Sequence, residues 1–263
     1  MAGAVILGLR AALRSGIGMV KATVHPSSVD AVHGAVPATL ISPWPATDDE
    51  TKDSWADVLV IGPGLGRDSD TKRAIQSAAK RHAGPMLLDA DALTAFERDI
   101  ASLKHVIGDR PALITPHVVE LGRLTGDYPE AVLDRRFEIG GEVAKRIGAT
   151  VLLKGVPTIV SGPDGRSIVV AAGTPTLATG GSGDLLSGIA GTLLAQIGLP
   201  IIAGAVAAWI HGRAAELAGP RTRGTTLEDV LDVLPNAWSI DPTPPRSAIS
   251  PRWRPCHSAF SSP

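Results

Sequence analysis

A glycine-rich segment late in the sequence, Thr179-Gly-Gly-Ser-Gly-Asp184, stands directly before an apolar stretch with helical spacing. Glycines at such a position let successive backbone N–H groups turn towards one anion, and the helix N-terminus adds about half a positive charge. The segment therefore predicts a phosphate site that needs no Lys or Arg. Asp184 falls in the first helical turn, where it could accept the proton of a hydroxyl held beside the phosphate.

The same segment also has a purely structural interpretation. Glycine-rich turns begin helices for conformational reasons, and a nearby Asp can serve as a cap. The segment is not a Walker loop, because no Gly-Lys-Ser/Thr follows, and it lacks the downstream acidic residue of the dinucleotide fingerprint. For this segment alone, a phosphate site and a simple helix start both stay open.

Four further polar or glycine-rich segments each follow a short apolar run of strand length. In chain order they are Gly62-Pro63-Gly64-Leu65-Gly66, Asp89-Ala90-Asp91, Thr115-Pro116-His117-Val118-Val119-Glu120 and Lys154-Gly155-Val156-Pro157-Thr158. Loops at the carboxyl ends of parallel strands form the ligand crevice of open α/β sheets. We therefore expect these segments to lie close together.

The residue types in three of these segments suit phosphate and metal chemistry. The glycines of 62–66 allow close backbone approach, and Lys154 can meet a phosphate as a point charge. Asp89 and Asp91 could hold magnesium through water. The structural alternatives are a tight strand-to-helix turn for 62–66 and an exposed lysine at a hairpin entry for Lys154. For Asp91 the alternative, a helix N-cap, is favoured.

The segment around His117 also supports two interpretations. His117 could contact a ligand, and Glu120 could orient a magnesium-bound water. The structural alternative is a variant capping box that starts at Thr115, with Pro116 early in the helix. That alternative explains Thr115 and Pro116 better than it explains His117. His211, on a later apolar stretch, is expected to be a core or interface histidine.

Between these segments the hydrophobic pattern alternates between strand and helix. The predicted strands are 19–24, 57–61, 85–89, 112–115 and 150–153, and the predicted helices are 4–15, 70–82, 92–98, 130–147, 184–197 and 201–218. Two β-rich runs, 157–160 and 167–171, flank a Gly-Pro-Asp-Gly turn and predict a hairpin. The pattern indicates an α/β fold: a mostly parallel central sheet, helices on both faces and a small antiparallel hairpin edge.

Composition narrows the classes of partner. The 263 residues carry 25 Lys+Arg against 26 Asp+Glu, and only 3% are aromatic, so a basic or stacking surface for nucleic acid is not expected. No apolar run reaches about 18 residues, and no secretory signal is recognised, so no membrane partner is expected. Cys256, the single cysteine, cannot form an internal disulfide and favours a reducing, cytoplasmic location. Residues 239–263, with six Pro and six Ser, are predicted to be a disordered tail.

Taken in order, the five segments resemble those of the NAD(P)H-hydrate dehydratases, a family of the ribokinase-like superfamily. The opening Gly3-Ala4 and the segment 11–18 match as well, and the resemblance covers residues 3–235. It implies one ribokinase-like three-layer sandwich over residues 1–235. It also implies that a strand preceding the first helix in this family is missing here. The epimerase domain often fused upstream is not recognised, so no epimerase activity is expected.

The resemblance implies a metabolite-repair activity. The substrate would be the S form of hydrated NADH or NADPH, in which the nicotinamide ring carries an extra hydroxyl. A nucleotide would phosphorylate that hydroxyl, and departure of phosphate would restore the cofactor. Bacterial members are similar in using ADP and giving AMP, and others use ATP. Mg²⁺ would bridge the phosphates, and a homo-oligomer, a tetramer, is implied.

Residue roles carry over onto the matching positions. Asp184 would be the catalytic proton acceptor, and Glu120 is assigned to the metal through a bound water. The family's hydrate-binding positions fall on Ala4, Gly64, Gly66, His117 and Asp184. Its nucleotide and phosphate positions fall on Lys154, Gly155, Val156, Pro157, Thr158, Gly180, Gly181, Ser182 and Gly183.

Two other functions stay open at this point. A vitamin-precursor or sugar kinase of the same superfamily would share the glycine-rich loop and Asp184. The segments 62–66 and 115–120 together suit the dehydratase better. A truncated, non-catalytic nucleotide-binding homologue is the alternative from a different class.

Overall fold

The computed structural model describes residues 1–44, 55–219 and 223–239 of the chain. The predicted tail at 239–263 lies outside the described residues except for Ser239, so its disorder stays a prediction. Within the described residues, eight strands form two sheets. The strands are β1 Lys21–Val24, β2 Leu40–Pro43, β3 Leu59–Ile61, β4 Met86–Leu88, β5 Ala112–Ile114, β6 Thr150–Leu153, β7 Thr158–Ser161 and β8 Ser167–Val170.

The central sheet has six strands in the order in which they occur along the chain, β3-β4-β5-β6-β7-β8. The first four are parallel, with Val60 beside Leu87 in the β3–β4 pair. β7 and β8 run antiparallel and form the predicted hairpin at the edge. β1 and β2 pair in parallel as a separate two-stranded sheet, which the sequence pattern does not predict.

Helices cover both faces of the central sheet. They are α1 Ala2–Arg14, α2 Val29–Ala35, α3 Thr71–Arg81, α4 Asp91–Thr94, α5 Ile100–Ile107, α6 Val118–Thr125, α7 Pro129–Asp134, α8 Ile139–Ile147, α9 Ser182–Ile197, α10 Pro200–Leu217 and α11 Leu227–Val233. No helix in the described part of the chain is long and apolar enough to cross a membrane.

Alternation along the short strands builds two separate hydrophobic cores. In β4, Leu87 packs with α1, α9, α10 and α11, whereas Met86 and Leu88 pack with the layer from α3 to α8. All three side chains are fully buried. Because both faces of a parallel sheet are covered, its strands are continuous apolar runs. The predicted three-layer α/β architecture is confirmed.

Two predicted helices differ from the structure. The predicted helix 92–98 is only the short α4. A helix that the pattern missed, α5, follows after Asp99, whose carboxylate accepts the Ser102 amide at 3.1 Å and so caps its N-terminus. The predicted helix 130–147 is divided into α7 and α8, because the chain turns at 135–138. There the side chain of Arg136 reaches across to the carbonyls of Val156 and Pro157.

The first helix is packed tightly against the helix that carries the glycine-rich segment. At Gly188, in the second turn of α9, a Cβ atom would lie 2.2 Å from the carbonyl oxygen of Gly8 and 2.9 Å from the Cβ of Ala11. Only glycine permits this approach of the two backbones. The contact sets the position of α9, and hence of its N-terminus, relative to α1.

Gly188→Ala is therefore expected to lower the free energy of unfolding by about 1–3 kcal/mol, because the new methyl group must push α1 and α9 apart. Gly141→Ala is the matched control, since a Cβ there meets nothing within 4 Å. It should be neutral or stabilise by up to about 1 kcal/mol, the usual gain of helix propensity. Urea unfolding of both variants measures the difference, and equal effects would contradict the packing argument.

Candidate active site

The carboxyl ends of four parallel strands bring the predicted segments together. Segment 62–66 follows β3, Asp89 follows β4, His117 lies just after β5 and Lys154 follows β6. A parallel bridge continues the β5–β6 pairing past the strands, and the Lys154 amide donates to the Pro116 carbonyl at 2.9 Å. The expected meeting of these segments at one edge of the sheet is confirmed.

The glycine-rich segment begins α9 at the same edge. Gly181 is the N-cap, in a left-handed conformation with φ of 93°, and Ser182, Gly183 and Asp184 form the first turn. The amides of Ser182 and Asp184 donate to the carbonyls of Thr179 and Gly181. Among the described residues, no carbonyl accepts the amide of Gly183. That amide and the positive end of the helix dipole are therefore available to an anion.

Asp184 is the carboxylate nearest to this helix terminus. No hydrogen bond reaches its side chain from the described part of the chain. Burial raises the pKa of Asp184 to about 6, and the negative charge of Asp89 adds to the increase, whereas Lys154 opposes it. Asp184 is not a capping residue, because the N-cap is Gly181 and makes no side-chain bond.

A buried ion pair lies beneath the glycine-rich segment. The Nζ atom of Lys154 is 2.8 Å from Oδ1 of Asp89 and 3.5 Å from Oε2 of Glu120. The hydroxyl of Ser187, one turn along α9, donates to the other oxygen of Asp89 at 2.6 Å. A Cβ built on Gly183 would lie 3.4 Å from the same Nζ atom. The lysine thus contacts the end of β4 and the first turn of α6, and it lies beside the start of α9.

These partners keep Lys154 charged. Burial lowers the pKa of Lys154, but attraction to Asp89 and Glu120 and hydrogen bonds with them outweigh burial, so the net pKa is raised. The side chain is 20% exposed, whereas that of Asp89 is 2% exposed. Lys154 is therefore an ion-paired cation rather than the exposed lysine of the structural alternative.

The segment 62–66 folds back against its neighbours. Gly62 has φ of 130°, and a Cβ there would lie 1.7 Å from the Asp89 carbonyl oxygen. The ammonium group of Met1 donates to the Gly64 carbonyl at 2.6 Å, and the buried Ala4 packs beside Gly64. The glycines therefore form a tight turn that touches the start of α1. Their predicted contact with a substrate stays a prediction.

Asp91 is not the helix cap that the sequence favours. It is the first residue of α4, and the N-cap position belongs to Ala90, which has no side chain that can accept a hydrogen bond. The carboxylate instead accepts the Gly66 amide at 3.0 Å and Nε of Arg67 at 2.8 Å. These two donors hold the Asp91 carboxylate away from the N-terminus of α4. The contact stabilises the end of segment 62–66.

A capping box joins His117 and Glu120. His117 Nδ1 accepts the amides of Val119 and Glu120 at 3.1 and 3.3 Å, and the Glu120 carboxylate accepts the His117 amide at 2.8 Å. The box is the one expected in the structural alternative, but it starts at His117 instead of Thr115. Burial lowers the pKa of His117. Its neutral ring is half exposed, and its Nε2 atom lies 3.5 Å from Oε1 of Glu120.

The segment Lys154–Thr158 is held by a residue that the sequence analysis did not single out. Arg136 Nη1 donates to the Val156 carbonyl at 2.9 Å, and Nη2 donates to that of Pro157. Thr158 closes the turn by donating to the Gly155 carbonyl at 3.1 Å. The helical pattern predicted over 130–147 continues through Arg136, so the local sequence does not indicate that this residue contacts the segment. Its partners lie about 20 residues away in the sequence.

The described residues at this edge form no protein cage for magnesium. Within residues 1–44, 55–219 and 223–239, no group of three or more His, Cys, Asp or Glu side chains could hold a metal ion. The Glu120 carboxylate faces Lys154 and His117, which are donors rather than a metal. Magnesium is commonly held by one or two carboxylates together with substrate phosphates. A water-mediated role for Glu120 stays a prediction.

Comparison with known proteins identifies the family of this chain. The family model described as NAD(P)H-hydrate dehydratase matches residues 1–236. The chain belongs to the NAD(P)H-hydrate dehydratase family. It is 35% identical over 224 residues to an ADP-dependent (S)-NAD(P)H-hydrate dehydratase of Neisseria meningitidis, covering 82% of this chain and 73% of that protein. The predicted family is confirmed.

Other members of the family are longer. The chain is 35% identical over 250 residues to the bifunctional NAD(P)H-hydrate repair enzyme Nnr of Moorella thermoacetica. That match covers 89% of this chain and 46% of the relative, so the chain spans about half the length of such bifunctional members.

Solved structures of the superfamily share the fold. The ADP/ATP-dependent NAD(P)H-hydrate dehydratase of Bacillus subtilis, co-crystallised with ATP and Mg²⁺ and soaked with CoA, superposes with a TM-score of 0.77 at 26% identity. The superposition covers 90% of this chain and 87% of that one. Hydroxyethylthiazole kinase of Pyrococcus horikoshii matches with a TM-score of 0.63 at 19% identity, which shows the fold alone. A ribokinase-like superfamily protein of Enterococcus faecalis superposes with a TM-score of 0.74 at 25% identity, so the ribokinase-like prediction is confirmed.

Replacement of Lys154 should lower the free energy of unfolding, because the buried ion pair with Asp89 is lost. Lys154→Met leaves the Asp89 charge buried without its cation, so we expect about 3–5 kcal/mol less stability in urea unfolding at neutral pH. Lys154→Met combined with Asp89→Leu should recover part of that loss, because the Asp89 charge is removed, whereas Glu120 still accepts the His117 amide. A double variant whose free energy of unfolding is no higher than that of Lys154→Met would contradict this account.

The control removes an exposed cation of similar size. Arg135 pairs with Glu142 on the surface, and the two side chains are 51% and 54% exposed. Arg135→Met should leave the stability almost unchanged, because water already screens that pair.

Proposed function

We propose that this chain dehydrates the S form of hydrated NADH or NADPH and consumes ADP, which gives AMP and phosphate. The observation that carries the proposal is the carboxylate of Asp184 at the N-terminus of α9. Among the described residues neither it nor the nearby Gly183 amide has a hydrogen-bond partner, and the cation of Lys154 lies beside them. A proton acceptor and an anion site within one helical turn are what transfer of a phosphoryl group to a hydroxyl requires.

The anion end of the site holds the transferring group. In this proposal the amides of the glycine-rich segment, residues 180–183, and the dipole of α9 neutralise phosphate oxygens without a covalent contact. Lys154 supplies a point charge from below and gives up part of its contact with Asp89 or Glu120 to do so. The nucleotide lies along Gly155, Val156, Pro157 and Thr158, whose turn Arg136 holds in place.

The substrate lies on the opposite side of Asp184. Ala4, Gly64 and Gly66 form one wall of this space where segment 62–66 meets the start of α1, and His117 forms another. The neutral His117 ring offers an N–H donor, which suits a hydroxyl or a carboxamide oxygen of the hydrated nicotinamide.

The chemistry then proceeds in two steps. The ring hydroxyl oxygen attacks the β-phosphorus of ADP, the bond from that phosphorus to the bridging oxygen breaks, and AMP leaves with its electron pair. Asp184 takes the hydroxyl proton. In the second step the C–O bond breaks towards phosphate, the ring nitrogen donates its lone pair, and loss of a proton from the adjacent carbon restores the dihydronicotinamide. The protein has little to add to this elimination.

Further features of the proposal come from the family. The relative of Neisseria meningitidis is ADP-dependent and that of Bacillus subtilis is ADP/ATP-dependent, so ADP is the donor to test first and ATP the second. Magnesium would arrive with the nucleotide phosphates. A homo-oligomeric state and a cytoplasmic location stay predictions.

Asp184→Asn tests the proposed proton acceptor. The amide cannot accept the hydroxyl proton, so turnover of S-hydrated NADPH with ADP should fall by about 10²–10⁴-fold, while ADP still binds. Absorbance of the restored NADPH follows the reaction, and titration calorimetry measures ADP binding. Asp164→Asn is the control, because Asp164 lies in the exposed hairpin turn and pairs only with Arg166 there.

Two results would contradict this function. Full turnover in Asp184→Asn would remove Asp184 as proton acceptor. A stable phosphorylated product, with no NADPH formed by the unsubstituted protein, would indicate a small-molecule kinase instead.

The pH dependence gives an independent test. Only the ionised carboxylate can accept the proton, and the pKa of Asp184 is raised to about 6, so kcat/KM should decline as the pH falls through about 6. Asp89→Asn removes a neighbouring negative charge and frees Lys154, and both changes favour ionised Asp184. The acidic limb of the profile should therefore move to lower pH.

The control for this profile is Asp30→Asn, which removes a surface carboxylate on α2 and should leave the limb in place. An acidic limb that stays unchanged in Asp89→Asn would contradict the electrostatic origin of the raised pKa.

A further inference from the structure

His211 is a buried imidazole that the proposed chemistry does not use. It lies on α10, is 6% exposed, and points its Nε2 atom at the hydroxyl of Ser182, 3.4 Å away. Ser182 is itself 6% exposed and is the first residue of α9, inside the glycine-rich segment. His211 is therefore buried, as expected for a core histidine. Its polar atom, however, faces the anion site and not only the core.

Burial keeps this imidazole neutral. Burial lowers the pKa of His211 to about 4, and the cation of Lys154 adds to the decrease. A neutral ring can form one hydrogen bond through Nε2 with the hydroxyl, as either donor or acceptor. His211 is thus not a counter-ion for phosphate. It can act only through the group that it contacts.

The same helix also braces the segment that leads into the glycine-rich loop. Glu216, a little over one turn beyond His211, accepts the Gly173 amide through Oε1 at 3.0 Å. Its other oxygen accepts Arg213 Nη1 at 3.1 Å. α10 therefore holds segment 173–182 at both ends, with Glu216 at the start and His211 at the finish.

We propose that His211 is a positioning residue that fixes the Ser182 hydroxyl and, through it, the orientation of the amides at the start of α9. This inference rests on the proposed function, since it gives the phosphate loop its support. The distance of 3.4 Å is at the long end of the hydrogen-bond range, and such contacts often tighten when a ligand is bound. The Ser182 amide donates to the Thr179 carbonyl and Gly183 follows in the same turn, so a displaced Ser182 would also misalign the Gly183 amide.

A double-mutant cycle tests this role. His211→Leu and Ser182→Ala should each lower kcat/KM by about three- to tenfold, the effect of one hydrogen bond of ordinary strength. If His211 acts through Ser182, the double variant should lose no more than the larger single loss. His211→Gln, which keeps a polar group near the Nε2 position, should retain most of the activity, whereas a purely structural role would make Gln as harmful as Leu.

The matched control is Thr192→Val, which also replaces a buried polar side chain on α9 but lies ten residues further along the helix. Its fold-loss in kcat/KM should multiply that of Ser182→Ala, because the free-energy effects of independent sites add. Multiplicative losses for His211→Leu and Ser182→Ala, like those of the control pair, would overturn the inference.

Two further measurements keep this test independent of folding defects and of the proposed reaction. In the nitrogen-15-labelled protein, Ser182→Ala should shift the His211 Nε2 resonance, and an unmoved resonance would overturn the inference without any change at His211.

The same double-mutant cycle is also measured on the dissociation constant of ADP. An unsubstituted protein that binds ADP but forms no NADPH contradicts the proposed reaction, whereas additive effects on ADP affinity contradict the role of His211.

Discussion

The buried contact between Lys154 and Asp89 is the interaction on which the candidate site depends. It joins the ends of β4 and β6, and the hydrogen bond from Ser187 to Asp89 also ties both strands to α9. A charge taken out of water is tolerated only with a partner and hydrogen bonds, so each member requires the other. The same requirement places a cation directly below the glycine-rich segment. The site is therefore held together by the group that is proposed to bind phosphate.

The two aspartates of the site differ because their surroundings differ. Asp89 is satisfied by Lys154 and Ser187, and it is almost completely buried. Asp184 has no donor among the described residues and lies in the field of Asp89, which keeps its pKa well above that of an ordinary aspartate. A carboxylate with a pKa near the working pH is better suited to take up and release a proton. Asp89 thus positions Lys154 and contributes to the raised pKa of Asp184.

A large part of the fold could be predicted from the sequence, because its signals are local. Continuous apolar runs such as 86–88, followed by polar segments, indicate buried parallel strands, and the predicted sheet and hairpin are confirmed. The sequence-based predictions fail where the local conformation depends on a residue that is distant in the sequence. Arg136 interrupts a continuous helical pattern because its partners are the carbonyls of Val156 and Pro157, and Asp91 leaves its helix for Gly66 and Arg67. Local pattern carries no information about such partners.

The sequence by itself determined the family, the alternation of strands and helices along the chain, and the five segments that meet at one edge of the sheet. These follow from residue types at fixed spacing and from the rule that parallel strands end on the same side. Only the tertiary structure decided that Lys154 is ion-paired with Asp89, that Asp184 has a raised pKa, and that His211 faces Ser182. Burial and pairwise distance set each of these properties. Both arise only after residues from distant parts of the chain have packed together.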